Sequence, residues 1–369
     1  MRLADFSYEL PEDKIAQRPL AERDASRMML LSRDSGHWDD CQFRELPELL
    51  RGDELMVVNN ARVIPARLFG RRSGVGSEPP GKDKRVQHEF LSTTIEVLLT
   101  RNLGQQVGQE VWEALVRPGK KVRVGEHIIF GEGEVEAEVV SRGELGLRRL
   151  RFSCKGDFQE IIKRLGHIPL PPYIRRADEP DDSSRYQTIF ARSGSAVAAP
   201  TAGLHFTPQM MERLGKRGVE FCELTLEVGL GTFQPIHESE IERHEIHTEN
   251  YEIPDDSVEK IQRARVSGRP VLAVGTTVVR ALEDSAQAAA VAGDKKMLRS
   301  GRGEAGIYIY SGHTFRIVDQ MLTNFHLPQS SLLVMVAAFA GRERILSAYA
   351  HAIEAGYRFY SYGDCMLIR

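Results

Sequence analysis

Two hydrophobic rhythms divide the chain. Between residues 93 and 155 apolar and polar positions alternate with period two: Ile95-Glu96-Val97-Leu98-Leu99, Val111-Trp112-Glu113-Ala114-Leu115-Val116 and Glu134-Val135-Glu136-Ala137-Glu138-Val139-Val140. Alternation sends successive side chains to opposite faces of a strand. The runs are separated by close turns, with Pro118-Gly119 and Val122-Arg123-Val124-Gly125 among the short segments. Short alternating strands at close spacing predict a small antiparallel β-barrel.

Outside that segment the apolar runs are continuous and several are followed by helix-forming sequence. Leu55-Met56-Val57-Val58 reads as a buried strand that leaves through Asn59-Asn60 toward a second strand, Val63 to Leu68. Phe158 to Leu165 predicts a short helix, followed by an extended Pro169, Pro171, Pro172 segment. Val219 to Val228 predicts a strand, and Asp255-Asp256-Ser257 precedes a helix to about Val266. Pro270 to Gly275 predicts a buried strand, and Thr276-Thr277 opens a helix from Val278 to about Ala290. Further helices are expected at about Ser331 to Phe339 and Arg342 to Ala355. Strand followed by helix, repeated, is the α/β signature. The expected architecture is a large α/β domain built from residues 1–62 and 157–369, with a small antiparallel β-barrel domain, residues 63–156, inserted between them. Residues 73–92, rich in Gly, Ser, Pro and Lys, read as a loop insertion in the barrel.

Composition narrows the class. At 369 residues, 41% hydrophobic and 27% charged, the chain is an ordinary globular protein large enough for two domains. Asp5, Glu9, Glu12 and Asp13 interrupt the start, so no secretory leader is expected, and Leu332 to Ala340 is too short to span a bilayer. Cysteines 41, 154, 222 and 365 are too scattered for a CxxC zinc site and fit a reduced, cytoplasmic setting. The net charge of −3 conceals an asymmetry. Residues 61–155 hold 17 Lys and Arg against 12 Asp and Glu, a net +5, leaving −8 on the remainder. That middle segment suits a polyanion.

Candidate chemistry gathers where strands end. Ala198-Ala199-Pro200-Thr201-Ala202-Gly203-Leu204-His205-Phe206-Thr207 sets a histidine and small residues ahead of a helix in which Thr207 caps, Pro208 takes the first position and Gly218 ends the run. It reads either as a ligand loop or as a tight connection with a structural histidine. Four similar clusters are Asn59-Asn60-Ala61-Arg62, Glu227 to Phe233 with Gly229, Gly231 and Thr232, Gly275-Thr276-Thr277, and Leu322 to Pro328 with Thr323, Asn324 and His326. Together they predict a pocket outside the carboxyl edge of the sheet. Two motifs mislead. Gly301 to Gly306 matches GxGxxG but is followed by a predicted strand, Ile307 to Tyr310, where a nucleotide fingerprint needs a helix. His244-Glu245-Ile246-His247 is one residue short of HExxH and reads as a strand edge with His247 and Glu249 on one face, so no metal is expected.

The chain resembles the S-adenosylmethionine:tRNA ribosyltransferase-isomerase family of queuosine biosynthesis. The likeness is carried by Phe6-Ser7-Tyr8-Glu9-Leu10-Pro11, Ile15 to Pro19, Arg23 to Arg27, Asn59 to Leu68, Leu170-Pro171-Pro172-Tyr173-Ile174, Tyr186-Gln187-Thr188, the loop at 198–207, Val228 to Phe233, Gly275-Thr276-Thr277, Leu322 to Pro328 and Tyr360-Ser361-Tyr362-Gly363-Asp364. These run in family order over nearly the whole length. The resemblance implies an α/β domain with an inserted barrel and a tRNA-modifying activity. Such enzymes transfer and isomerise the ribosyl part of S-adenosylmethionine onto the 7-aminomethyl group of a 7-deazaguanine at the tRNA wobble position. Epoxyqueuosine forms, and adenine and methionine leave. S-adenosylmethionine is then a consumed donor, with no permanently bound cofactor, and the expected partners are that donor and the modified tRNA, with no membrane and a monomeric chain.

That chemistry needs a base for the C5′ proton, a donor for departing adenine and an acceptor for the amine proton. His205 is the first choice for the base, His326 or a nearby hydroxyl for the donor, and Glu249 or Asp364 for the acceptor. Arg62, Arg67 and Arg280 are candidates for the methionine carboxylate or tRNA phosphates. Asn59, Asn60, Thr276 and Thr277 are candidates for ribose or methionine groups, and Thr201, Gly203, Phe206, Gly229, Gly231, Thr232, Gly275, Thr323 and Asn324 complete the expected substrate-binding set. Two departures from the family pattern stand out: Glu227 where a histidine commonly precedes Val228, and Cys365 where an alanine is usual. A competing reading from another class is a non-catalytic RNA-binding protein that uses the basic barrel alone.

Overall fold

The computed structural model describes residues 1–73, 93–143, 146–229, 236, 238–244 and 246–369. The chain divides into two compact units. One comprises residues 1–62, 171–177 and 184–369; the other comprises 63–170 and 178–183.

Seventeen strands occur among the described residues. In chain order they are β1 (Arg27–Leu31), β2 (Trp38–Gln42), β3 (Leu55–Asn59), β4 (Ala61–Val63), β5 (Arg67–Arg72), β6 (Thr94–Gln106), β7 (Gln109–Arg117), β8 (His127–Phe130), β9 (Val135–Arg142), β10 (Leu147–Cys154), β11 (Ser193–Ala196), β12 (Glu220–Leu226), β13 (Glu249–Ile253), β14 (Val271–Val274), β15 (Gly301–Ala305), β16 (Gln320–Asn324) and β17 (Cys365–Ile368). In the larger unit nine of them form one sheet in the order β15-β13-β12-β3-β14-β16-β17-β1-β2. The central strands β12, β3, β14 and β16 are parallel, and antiparallel pairs close both flanks.

A parallel strand covered on both faces needs apolar side chains on both, and β3 and β14 are buried at every position. Leu55 and Val57 enter one core, shared with the helices Asp255–Val266, Thr276–Ala292, Ser331–Ala340 and Arg342–Glu354. Met56 and Val58 enter the other, shared with Phe206 and the helix Pro208–Lys216. That last helix is built as its sequence dictates. Thr207 accepts a hydrogen bond from the Met210 amide at 3.1 Å, Pro208 holds the first turn, and Gly218 adopts φ +99° just past the end.

The second unit holds a closed antiparallel barrel in the order β10-β7-β6-β5-β8-β9. Period-two burial appears as expected: Ile95, Val97 and Leu99 point inward from β6, and Val135, Ala137 and Val139 from β9.

Two expectations are corrected. The strand expected at Ile307–Tyr310 is instead Gly301–Ala305, paired with β13. Gly303 permits it, because a Cβ there would lie 2.4 Å from the Tyr251 ring that covers it. His247 is not on a strand: β13 begins at Glu249, and the His247 carbonyl accepts from Arg280 Nη2 at 3.0 Å. The insertion at 73–92 lies, apart from Ser73, outside the described residues.

Candidate active site

Parallel strands place their carboxyl ends on one edge, where helix starts and loops leave a crevice. Here that edge carries a cavity. Its wall is formed by residues that directly follow β14 (Gly275, Thr276, Thr277), by the end of β16 and the residues beyond it (Thr323, Asn324, Phe325, His326), by the 198–207 loop (Thr201, Ala202) and by Tyr173, Tyr360 and Ser361.

Each wall has a local cause. Gly275 takes φ +98° and ψ 148°, a region closed to side chains, and so turns β14 directly into the helix Thr276–Ala292. That helix start has no side-chain cap, leaving amides and the positive dipole end facing the cavity. His326 is pinned through its backbone. Its amide donates to the Tyr349 hydroxyl at 3.0 Å, and its carbonyl accepts from Tyr8. Its Nε2 lies 2.7 Å from Thr323 Oγ1. Surrounding protein pulls the imidazole pKa down to about 3, so the ring is neutral near pH 7. The aromatic wall is equally fixed: the Tyr173 and Tyr360 rings are 4.7 Å apart, and Tyr173 Oη lies 2.6 Å from Ser361 Oγ. Tyr360 holds φ +71°, a strained value for a bulky residue.

His205 stands beside this cavity and not on its wall. It lines an adjoining crevice, and Ser361 belongs to both. His205 Nδ1 is 2.7 Å from Ser26 Oγ, and the ring packs 5.2 Å from Phe43. Burial lowers its pKa to about 4, against the opposing pull of the Asn324 side chain. Both imidazoles are therefore neutral at pH 7.

Several expected site residues are held within the fold. Asn59 is buried, with Oδ1 accepting from Ala61 and Leu226 amides and Nδ2 donating to the Leu226 carbonyl at 3.0 Å, so it ties β3 to β12. Asn60 donates to Glu223 and accepts from Thr225 Oγ1. Glu249 and Arg280 form a fully buried ion pair at 2.7 Å; Glu249 also accepts the Gly229 amide at 3.2 Å. Burial pushes the Glu249 pKa up, opposed by Arg280 and that amide. Both Asp364 oxygens accept backbone amides, from Arg27 at 2.9 Å and Arg358 at 2.7 Å. Burial raises its pKa, and those amides oppose the rise. Phe206 is core, wedged between Phe43 and Phe190, and Gly203 faces Thr188, where a Cβ would come within 2.9 Å. Arg62 is exposed. Arg67 belongs to the barrel unit, paired with Glu96 at 3.2 Å and donating to the Leu170 carbonyl. Gly231 and Thr232 lie outside the described residues.

Tyr173, Tyr360 and Ser361 are wall residues that no cluster of glycine and polar residues at a strand end singled out. Their signal in the sequence was the LPPYI and YSYGD stretches, which carry the family likeness without announcing a ligand.

A compact cavity at the carboxyl edge of a parallel sheet core, with an uncapped helix start, a neutral imidazole and an aromatic wall, defines an α/β enzyme that binds a small organic substrate. The family model described as "Queuosine biosynthesis protein" matches residues 3–368. The chain is 52% identical, over all of both chains, to an S-adenosylmethionine:tRNA ribosyltransferase-isomerase of Solibacter usitatus, and 46% identical, again over full lengths, to one of Desulfitobacterium hafniense. The crystal structure of an S-adenosylmethionine tRNA ribosyltransferase from Thermotoga maritima matches 99% of this chain and all of that one, with a TM-score of 0.53 at 34% identity. The chain belongs to the S-adenosylmethionine:tRNA ribosyltransferase-isomerase family.

Proposed function

We infer that the chain transfers and isomerises the ribosyl moiety of S-adenosylmethionine onto the 7-aminomethyl group of 7-aminomethyl-7-deazaguanine at the tRNA wobble position, yielding epoxyqueuosine-tRNA with release of adenine and methionine. The observation that carries this is the full-length kinship at 52% identity, joined to a cavity whose chemistry suits the donor. S-adenosylmethionine enters as a substrate and leaves in pieces.

Each demand of the reaction has a candidate on the wall. The donor's carboxylate suits the uncapped amides at Thr276 and Thr277. Tyr173 and Tyr360 offer a stacking face for adenine. Thr201, Thr323 and Asn324 offer polar partners for the ribose hydroxyls. The proton on C5′, next to the sulfonium, goes to a neutral imidazole. His326 is favoured because it borders the cavity, with His205 behind Asn324 as the other acceptor. Glu249 and Asp364 are committed to Arg280 and to backbone amides, so the amine proton is better passed to solvent or to an imidazole than to either carboxylate. Arg280 likewise serves the fold, and the carboxylate passes to the helix start.

The basic segment 61–155, with Arg62 and Arg67 in it, supplies a surface for tRNA phosphates. Among the described residues no helix is long and apolar enough to cross a membrane. A monomer acting in the cytoplasm completes the reading. It is tested by incubating the protein with S-adenosylmethionine and tRNA bearing the aminomethyl base. Free adenine and methionine released only with that tRNA support it; tight tRNA binding without adenine release would leave an RNA-binding module.

A further inference from the structure

The crevice beside the donor cavity has Arg23, Ser26, Arg185, His205 and Tyr362 in its lining. Its two arginines are held in an unusual way. Arg23 donates from Nη1 to the Gln187 and Leu204 carbonyls at 2.8 and 3.2 Å, and from Nη2 to Ser184 at 2.7 Å. Arg185 donates to the Ala21 and Leu20 carbonyls. Among the described residues neither has a carboxylate within ion-pair distance, and Arg185 Nε is buried with no acceptor. Glu22, the acidic residue at the rim, is taken by Arg44 at 3.1 Å.

A third cation stands near. Arg358 acts electrostatically on His205, and its Nη1 is also buried without an acceptor. The carboxylate that faces Arg358 is Asp364, whose oxygens accept the Arg27 and Arg358 amides. Two neighbouring guanidiniums repel, and a buried cationic donor left without an acceptor is destabilising. An anion in the crevice relieves the repulsion between Arg23 and Arg185.

We propose that this crevice is an oxyanion subsite that holds a backbone phosphodiester of the RNA substrate, with the Arg23 and Arg185 guanidiniums in its lining as the cationic partners. The assignment rests on the donor reading of the cavity. With S-adenosylmethionine in the cavity and its carboxylate on the helix start, the anion that meets the crevice at Ser361 belongs to the second substrate. Planar guanidiniums match phosphate oxygens, and such contacts set the position of a nucleic acid without reading its sequence.

The test uses the full chain, S-adenosylmethionine and the aminomethyl-bearing tRNA, with Arg185→Gln and Arg185→Lys. Arg185→Gln should raise KM for tRNA about tenfold, leave KM for S-adenosylmethionine within twofold, and reduce the slope of log Kd for tRNA against log salt by about 0.7–0.9. Arg185→Lys should keep the salt slope and recover only part of the affinity, since it has charge without the fork. A rise in KM for S-adenosylmethionine with an unchanged tRNA slope would overturn the proposal in favour of the donor carboxylate. No change in either KM would overturn it outright. If Arg185→Gln melts below the assay temperature, Arg23→Gln is read for the same quantities. An Arg185-dependent salt slope in a wild type that releases no adenine would sink the catalytic reading and leave the subsite standing.

Discussion

Arg280 Nη1 donates to Glu249 Oε2 at 2.7 Å, deep between the helix Thr276–Ala292 and β13. The same helix starts at the cavity, so this pair helps to fix the orientation of the amides that face it. Arg280 also donates to the His247 and Ala305 carbonyls, at 3.0 and 2.7 Å. Removing one partner of a buried pair leaves an uncompensated charge, a loss of about 3–5 kcal/mol. Arg280→Met should therefore lower the urea midpoint sharply, and adding Glu249→Leu should recover part of the loss. A single variant as stable as the wild type would show that the pair does not brace the helix.

The fold should weaken in mild acid through His205. Its pKa is about 4 in the folded chain, against about 6.5 when unfolded. As pH falls below 6.5 the unfolded chain binds a proton that the folded one refuses. Stability is fully present above pH 6.5 and declines by roughly 3 kcal/mol on the way to pH 4. Urea unfolding at pH 7.5, 5.5 and 4.5, compared with His205→Asn, isolates the contribution. The acid loss should be smaller in the variant; equal losses would refute the assignment.

The elements were legible where periodicity and burial agree. Alternation in β6, β7 and β9 foretold the barrel, and the unbroken apolar runs of β3 and β14 foretold a doubly covered sheet. The clusters after β14 and at the end of β16 proved to be cavity wall, because strand ends in a parallel sheet share one edge. Side-chain direction was not legible. Asn59, Glu249, Arg280 and Asp364 sit at the same edge yet turn into the fold, and nothing in local sequence distinguishes a carboxylate that binds backbone amides from one that meets a ligand. β15 was hidden because its pairing rests on an edge offered by β13 and on Tyr251 lying over Gly303, both long-range facts.

Gly275 should tolerate no side chain. Its φ of +98° with ψ 148° is a conformation essentially reserved for glycine, and Ala202 Cβ stands 3.7 Å from where a new Cβ would be placed. Space is adequate, so the penalty is conformational. Gly275→Ala should cost about 1–3 kcal/mol in urea unfolding and raise KM for S-adenosylmethionine, since the helix start shifts with the turn. An unchanged KM in a folded variant would separate the turn from donor binding.

The two imidazoles can be told apart by turnover. His326 borders the cavity, with Nε2 at 2.7 Å from Thr323 Oγ1, while His205 lies in the crevice against Ser26. If His326 takes the C5′ proton, His326→Asn should reduce kcat for adenine release by about 10²–10⁴ with little change in KM for S-adenosylmethionine, because a group acting in the transition state contributes to kcat. Ser26→Ala, which removes the His205 partner, should then have a much smaller effect. Exchange of the donor's C5′ hydrogen with deuterated solvent gives an independent reading: it should disappear in His326→Asn and persist in His205→Asn. The reverse pattern would move the base to His205 and make His326 part of the wall.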